Sequence, residues 1–217
     1  MSIEQFRKRI KQELLSKHAK FFAADKKVEN PIFQGIRYFA NGTAVVTNTH
    51  TLLRIKDVSP FPSPCTLHAI TGAELDGVYP SIDATDVLFC RDPENQIILE
   101  NPKQLDLITK HAKIAVMLAK ELKCVNNPVN LVLSFKNAHL EINDSSLEWS
   151  ALVGYPEKDQ EETWCFNANY LYNALNLFRS AKTRSLTIKL RNKFEPIILS
   201  DEENGIDVII LPICSAS

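Results

Sequence analysis

The 217-residue sequence has no apolar run approaching the roughly 20 residues that cross a bilayer. Its first residues, Met-Ser-Ile-Glu-Gln-Phe-Arg-Lys-Arg, lack the apolar centre of a secretory leader. The chain is therefore expected to act in the cytoplasm, away from membranes. Only six glycines are present, and none builds a GxGxxG or other phosphate-cradling loop. GxSxG is absent as well. The five cysteines (Cys65, Cys90, Cys124, Cys165, Cys214) are odd in number, scattered and free of CxxC spacing, so they read as reduced thiols. The five histidines (His18, His50, His68, His111, His139) are equally dispersed. Asp83, Asp86, Asp92 and Glu94 form a loose acidic group without metal-ligand periodicity and read as solvated loop carboxylates. With no converging acid, base or nucleophile, neither an enzyme nor a metal or cofactor site is expected. A strong positive charge is missing too: the formal net charge is −1. A protein that grips DNA by neutralising phosphates is usually basic. Nucleic acid is thus either ignored or held weakly or topologically.

The apolar fraction of 45% and charged fraction of 24% are those of an ordinary globular chain, long enough for one large or two small domains. Three segments share one plan, a helix followed by about three strands, as in a structural repeat. In the first, Ile3, Phe6, Ile10 and Leu14 make an apolar stripe. Gly35–Ala40 and Thr43–Thr47 then read as strands around Asn41-Gly42, a two-residue hairpin signal, and Leu52–Val58 as a third strand. In the second, Leu105, Ile108, Ala112, Ala115, Val116, Ala119 and Leu122 gather on one face of a long helix. Alternating strands follow through Val129, Leu131, Leu133 and Phe135, then Leu140 and Ile142, then Leu147, Trp149, Ala151 and Val153. In the third, a helix over Phe166–Ser180 precedes strands near Leu186–Leu190, Pro196–Leu199 and Ile206–Ile213. Between the first two lies a stretch opened by Pro60, Pro62 and Pro64, which reads as a connector with short extended pieces. The expected division is 1–58, 59–99 and 100–217. A lone half-unit at the start leaves a sheet edge that favours self-association or capping by the connector.

The polar faces of the three helices are mainly basic or neutral-polar, with Glu4 opposing the first. The first carries Lys8, Arg9 and Lys11; the second carries Lys103, Lys110, Lys113 and Lys120, opposed only by Asp106; the third carries Asn169, Asn173 and Asn176. Lys and Arg attract phosphate, Asn hydrogen-bonds it, and Asp or Glu repels it. Such stripes are also common as plain solvated faces.

A family resemblance is carried by Phe166-Asn-Ala-Asn-Tyr-Leu171 and Ile209-Ile-Leu-Pro-Ile213, with Thr47-Asn-Thr-His50-Thr-Leu52 and Leu75-Asp-Gly-Val-Tyr79-Pro80 upstream. In this order they resemble bacterial sliding clamps, the DNA polymerase III beta subunit, from about Tyr79 to Ile213 and partially before. The resemblance implies an α+β clamp-like fold of repeated helix-plus-three-strand units, one half-domain followed by one full domain. It implies a processivity factor whose helices face double-stranded DNA.

It further implies a peptide pocket with walls from Thr47, Thr49, His50, Thr51 and Leu52, from Pro80, and from Ile210, Leu211, Pro212 and Ile213. Such a pocket takes a Gln-x-x-Leu-Phe-like segment of replication or repair proteins. The family's turn usually has Gly and Arg where this chain has Thr49 and Thr51, so a charged donor is missing. Three helix units are too few for a usual subunit, and closing a ring implies a homo-oligomer of more chains than usual. The alternative is a non-encircling regulator or decoy, of phage or mobile-element type, which binds clamp-interacting proteins without holding DNA topologically.

Overall fold

In the computed structural model, residues 2–25, 27–79, 89, 91–123 and 126–213 are described. Two compact units form: one from Met1–Asp92 with Glu202–Ile209, the other from Pro93–Asp201 with the chain from Ile210 onward.

The first unit opens with α1 (Ile3–His18), whose start is fixed by a capping box. The Ser2 hydroxyl accepts from the Gln5 N–H, and the Gln5 side chain accepts from the Ser2 N–H. Two 3-10 turns follow, Ala19–Phe21 and Pro31–Gln34. Then come β1 (Gly35–Tyr38), β2 (Ala44–Thr47), β3 (Thr51–Ile55) and β4 (Cys65–His68). With β12 (Ile206–Ile210) they lie in the order β4-β1-β2-β3-β12. β4 pairs antiparallel with β1, Ile36 opposite Leu67, so a piece of the proline-rich stretch covers the edge that the lone half-unit would leave open.

The β1–β2 connection differs from the sequence reading. Phe39 N–H donates to Thr43 O and Gly42 N–H to Phe39 O, which makes a three-residue loop over Ala40-Asn41-Gly42. Gly42 sits at φ +89°, the left-handed position that such a loop assigns to glycine. Strand β3 also stops at Ile55, short of Val58, because Asp57 turns the chain at φ +56°. The expected core stripe of α1 holds only in part: Leu14 is buried with Leu15 and Ala19, while Phe6 and Ile10 are exposed.

One ion pair locks the unit. Arg54 on β3 directs Nε and Nη2 at a single oxygen, Asp207 Oδ2 on β12, at 3.1 and 2.9 Å. The Phe89 ring lies 3.4 Å from the guanidinium carbon. Both residues are almost buried, so loss of either partner would strand a desolvated charge, a defect of about 3–5 kcal/mol.

The second unit contains β5 (Asn95–Leu99), α2 (Pro102–Glu121), β6 (Pro128–Ser134), β7 (Asn137–Asp144), β8 (Leu147–Gly154), β9 (Glu162–Asn167), α3 (Ala168–Ser180), β10 (Leu186–Leu190) and β11 (Ile197–Asp201). Its antiparallel strands run β11-β10-β5 and β8-β7-β6-β9. Gly154 ends β8 where β5 comes close: a Cβ there would meet Ile97 Cγ2 at 2.8 Å.

The expected apolar face of α2 is buried at Leu105, Ile108, Ala112, Ala115, Val116 and Ala119, with Leu122 half-buried. Phe166 is not the helix start: it is strand residue, fully buried and paired with Val129. The Asn167 side chain accepts from Asn169 N–H and caps α3, so the helix begins at Ala168. Phe135 is likewise not an inward strand position; it tops the β6–β7 hairpin at φ +50° and is exposed. No helix among the described residues is long and apolar enough to cross a membrane.

At the end of α1, His18 is 1% exposed, and neither ring nitrogen finds a hydrogen-bond partner. Burial first, and Lys17 and Lys20 second, lower its pKa from 6.5 to about 4. The fold thus favours neutral imidazole. That stability is complete above the unfolded value and is lost as pH falls from about 6.5 through 4. His18→Leu is expected to flatten this part of the stability–pH curve and to raise the urea midpoint at pH 4.5; an unchanged slope between pH 7 and 4.5 would refute it.

Candidate functional site

The Thr47–Leu52 turn is organised by its own side chains. Asn48 Oδ1 accepts from His50 N–H at 3.0 Å, Thr51 N–H at 2.8 Å and the Thr51 hydroxyl at 3.1 Å. Thr47 Oγ1 accepts from Thr49 N–H at 3.1 Å and donates to Thr51 O at 2.7 Å. These bonds hold Thr49 at φ +74°, an uncommon setting for a β-branched residue. Thr49 and His50 stand exposed, Thr47 is half-buried, and Thr51 and Leu52 are buried. Asn48, the turn's anchor, is absent from the site residues drawn from the sequence. Its signal is readable there, since Asn two or three residues before backbone donors is a turn former.

In the second unit, Ile210 is buried and Leu211 is 39% exposed. Pro212 and Ile213 are half-buried, and Ile213 N–H donates to Cys165 O at 2.7 Å, which lays the end segment along β9. Pro80, expected as a further pocket wall, lies outside the described residues. The same is true of Asp83 and Asp86 from the loose acidic group.

Of the helix cations, Lys8 and Arg9 are exposed, and Arg9 pairs with Glu13 at 3.1 Å. Lys11 is half-buried and donates to Lys56 O at 2.9 Å, so its ammonium serves the fold. On α2, Lys103, Lys110, Lys113 and Lys120 are all exposed. Leu107, Ile114 and Met117 are exposed between them, so this face is mixed rather than purely cationic.

Helices α2 and α3 pack against each other. Asp106 lies 2.6 Å from Lys110 Nζ and 3.6 Å from Arg179 Nη1 on α3. The hydrogen bond from Lys110 is the main reason its carboxyl is held below the usual range, with the Arg179 guanidinium adding to it. Asn169, Asn173 and Asn176 are half-buried along α3. Asn169 Nδ2 donates to Asn167 Oδ1 at 3.1 Å, and Asn176 Oδ1 accepts from Arg179 Nη2 at 2.8 Å. Arg179 therefore adds a cation to the Asn face. A hollow at the start of α2 is lined by Pro102, Lys103, Asp106, Leu107 and Lys110. Among the described residues no group of His, Cys, Asp and Glu is arranged to hold a metal ion.

Asn48→Ala removes three acceptor contacts from one turn. It is expected to lower stability by about 1–2 kcal/mol in urea unfolding and to shift the His50 ring resonances, while leaving resonances of the second unit in place.

No family profile matches the sequence, and no curated protein does either. Solved structures do. The DNA polymerase III beta chain of Streptococcus pneumoniae is 16% identical with a TM-score of 0.76, over 96% of this chain and 63% of that one. The beta subunit of Streptococcus pyogenes DNA polymerase is 16% identical with a TM-score of 0.77, over 96% and 64%. The Bacillus subtilis DNA polymerase sliding clamp is 18% identical with a TM-score of 0.73, over 94% and 62%. The chain thus spans a little under two thirds of the length of these clamps, and its fold is the α+β sliding-clamp fold in shortened form.

Proposed function

We propose that the chain is a sliding-clamp-like accessory protein of DNA replication, which docks partner peptides and contacts DNA without catalysing a reaction. The observation that carries this reading is the match of nearly the whole chain to bacterial clamps at a TM-score of 0.76. The peptide site is assigned to the Thr47–Leu52 turn, Pro80 and Ile210–Ile213. Leu211 supplies its accessible apolar side chain, since Leu52 and Ile210 are buried. An exposed apolar anchor suits a short linear motif of the Gln-x-x-Leu-Phe type. The DNA-facing surface is assigned to Lys103, Lys110, Lys113 and Lys120 with Asn169, Asn173 and Asn176, supported by Lys8 and Arg9, while Lys11 is held by Lys56 O. Asp106, held by Lys110 and Arg179, does not cancel that face. Encirclement would supply retention, so a net charge of −1 is no obstacle.

The second reading is a non-encircling regulator or decoy that binds clamp-interacting proteins. It keeps the peptide site and needs no ring.

A fluorescent peptide carrying Gln-x-x-Leu-Phe is expected to bind, and Leu211→Asp to weaken it about tenfold or more, the worth of one buried leucine. Equal affinity for wild type and variant would remove the pocket assignment. Retention on nicked circular DNA with loss after linearisation separates the encircling form from the decoy.

A further inference from the structure

A helix facing only water carries polar and charged residues along its outermost line. In α2 that line runs Lys103, Leu107, Lys110, Ile114, Met117 and Glu121, at steps of three and four residues and opposite the buried stripe. Half of these positions are apolar, and they stand in the open: Leu107 is 51% exposed, Ile114 41% and Met117 59%. The line begins at the hollow where Pro102 and Leu107 lie among Lys103, Lys110 and Asp106. Lys110 is taken up by Asp106, which Arg179 also holds. Lys103, Lys113 and Lys120 enter no ion pair among the described residues. Glu121, exposed at the far end, is the other acid of this face.

We infer that this face docks an acidic amphipathic helix of a partner protein. Two features choose the occupant. Alternating steps of three and four form the seam along which a second helix lays its own apolar residues, so Leu107, Ile114 and Met117 would meet a matching apolar line. The three uncommitted lysines, Lys103 on the seam and Lys113 and Lys120 beside it, complement carboxylates flanking that line. A phosphate backbone would engage the lysines but set the three apolar side chains against hydrated oxygens. A neutral amphipathic helix would cover the apolar carbons and leave the lysines unmatched. A second α2 would bring lysine against lysine.

The apolar part of the seam is short, about 15 Å from Leu107 to Met117 at 1.5 Å per residue. Affinity in the micromolar range is accordingly expected. The inference rests on the observed face and not on the clamp reading, but it uses lysines assigned above to DNA. The partner helix and duplex DNA would therefore exclude one another, which makes the contact a means of keeping DNA off this face.

The test uses a fluorescent synthetic helix of about 18 residues, rich in Glu, with Leu at steps of three and four. Its control has the same composition in scrambled order. The full chain is expected to bind the scrambled peptide at least about tenfold more weakly than the helix. Leu107→Ser and Met117→Ser should each weaken the helix about fivefold and leave the affinity for a short DNA duplex unchanged. Their circular dichroism melts should match the wild type, since both positions are exposed. Lys103→Gln should weaken helix and duplex alike, and unlabelled duplex should release the bound helix. Equal binding of the helix and the scrambled peptide would reduce the contact to plain charge attraction and overturn the inference. Serine variants that bind the helix like the wild type, or a duplex that fails to displace it while binding the same chain, would overturn it as well. A chain that binds the helix but no duplex would uphold the docking face and remove the DNA assignment instead.

Discussion

The buried contact between Arg54 and Asp207 joins positions 153 residues apart. It fixes what the first unit is. β3 meets its neighbour β12 only when the chain returns from the second unit, and the guanidinium specifies the register by placing two donors on one carboxylate oxygen. A buried ion pair is a modest source of net stability but a strong selector, since a slip of one residue would leave both charges desolvated and apart. Local constraints add to it: a capping box, an Asn-anchored turn and a glycine at the hairpin.

The polar surface obeys a different logic. The α2 face mixes exposed Leu107, Ile114 and Met117 with four lysines, and Asp106 on it is engaged by Lys110 and Arg179. Such a face attracts a polyanion weakly and offers apolar patches between charges. That agrees better with transient contact than with a tight phosphate grip. Two Asn side chains of α3 are engaged, Asn169 by the capping Asn167 and Asn176 by Arg179, so fewer amides point to an outside ligand than the bare spacing suggests.

Most of the helices and strands were legible in the sequence because periodicity reports burial. The buried α2 residues stood at helical spacing, and Val129, Leu131 and Leu133 alternated as strand residues do. What escaped was decided by single polar atoms or by missing neighbours. Phe166 looked like a helix residue because the Asn167 cap that ends the strand is one side chain. Phe6 and Ile10 looked like core because sequence shows amphipathicity without showing whether anything covers it. The two-residue hairpin became three because Gly42 at φ +89° suits a bulged loop as well as a tight turn. Among site residues, the turn from Thr47 to Leu52 was legible as a cluster. Its anchor Asn48 was legible only as a turn former, since hydrogen bonds within four residues leave no periodic trace.

The late arrival of β12 has a consequence for biogenesis. During synthesis, β1, β2 and β3 leave the ribosome long before residue 206, and until then β3 has an open edge and Arg54 has no Asp207. Loop closure over so long a separation is slow, and an unpaired strand edge in that interval invites pairing with another nascent chain. The exposed Lys56, just past the end of β3, sits where a charge discourages such pairing, and its N–H later donates to Gly205 O as the strand docks. The order of the chain thus makes completion of the first unit wait for a strand that follows β11 of the second.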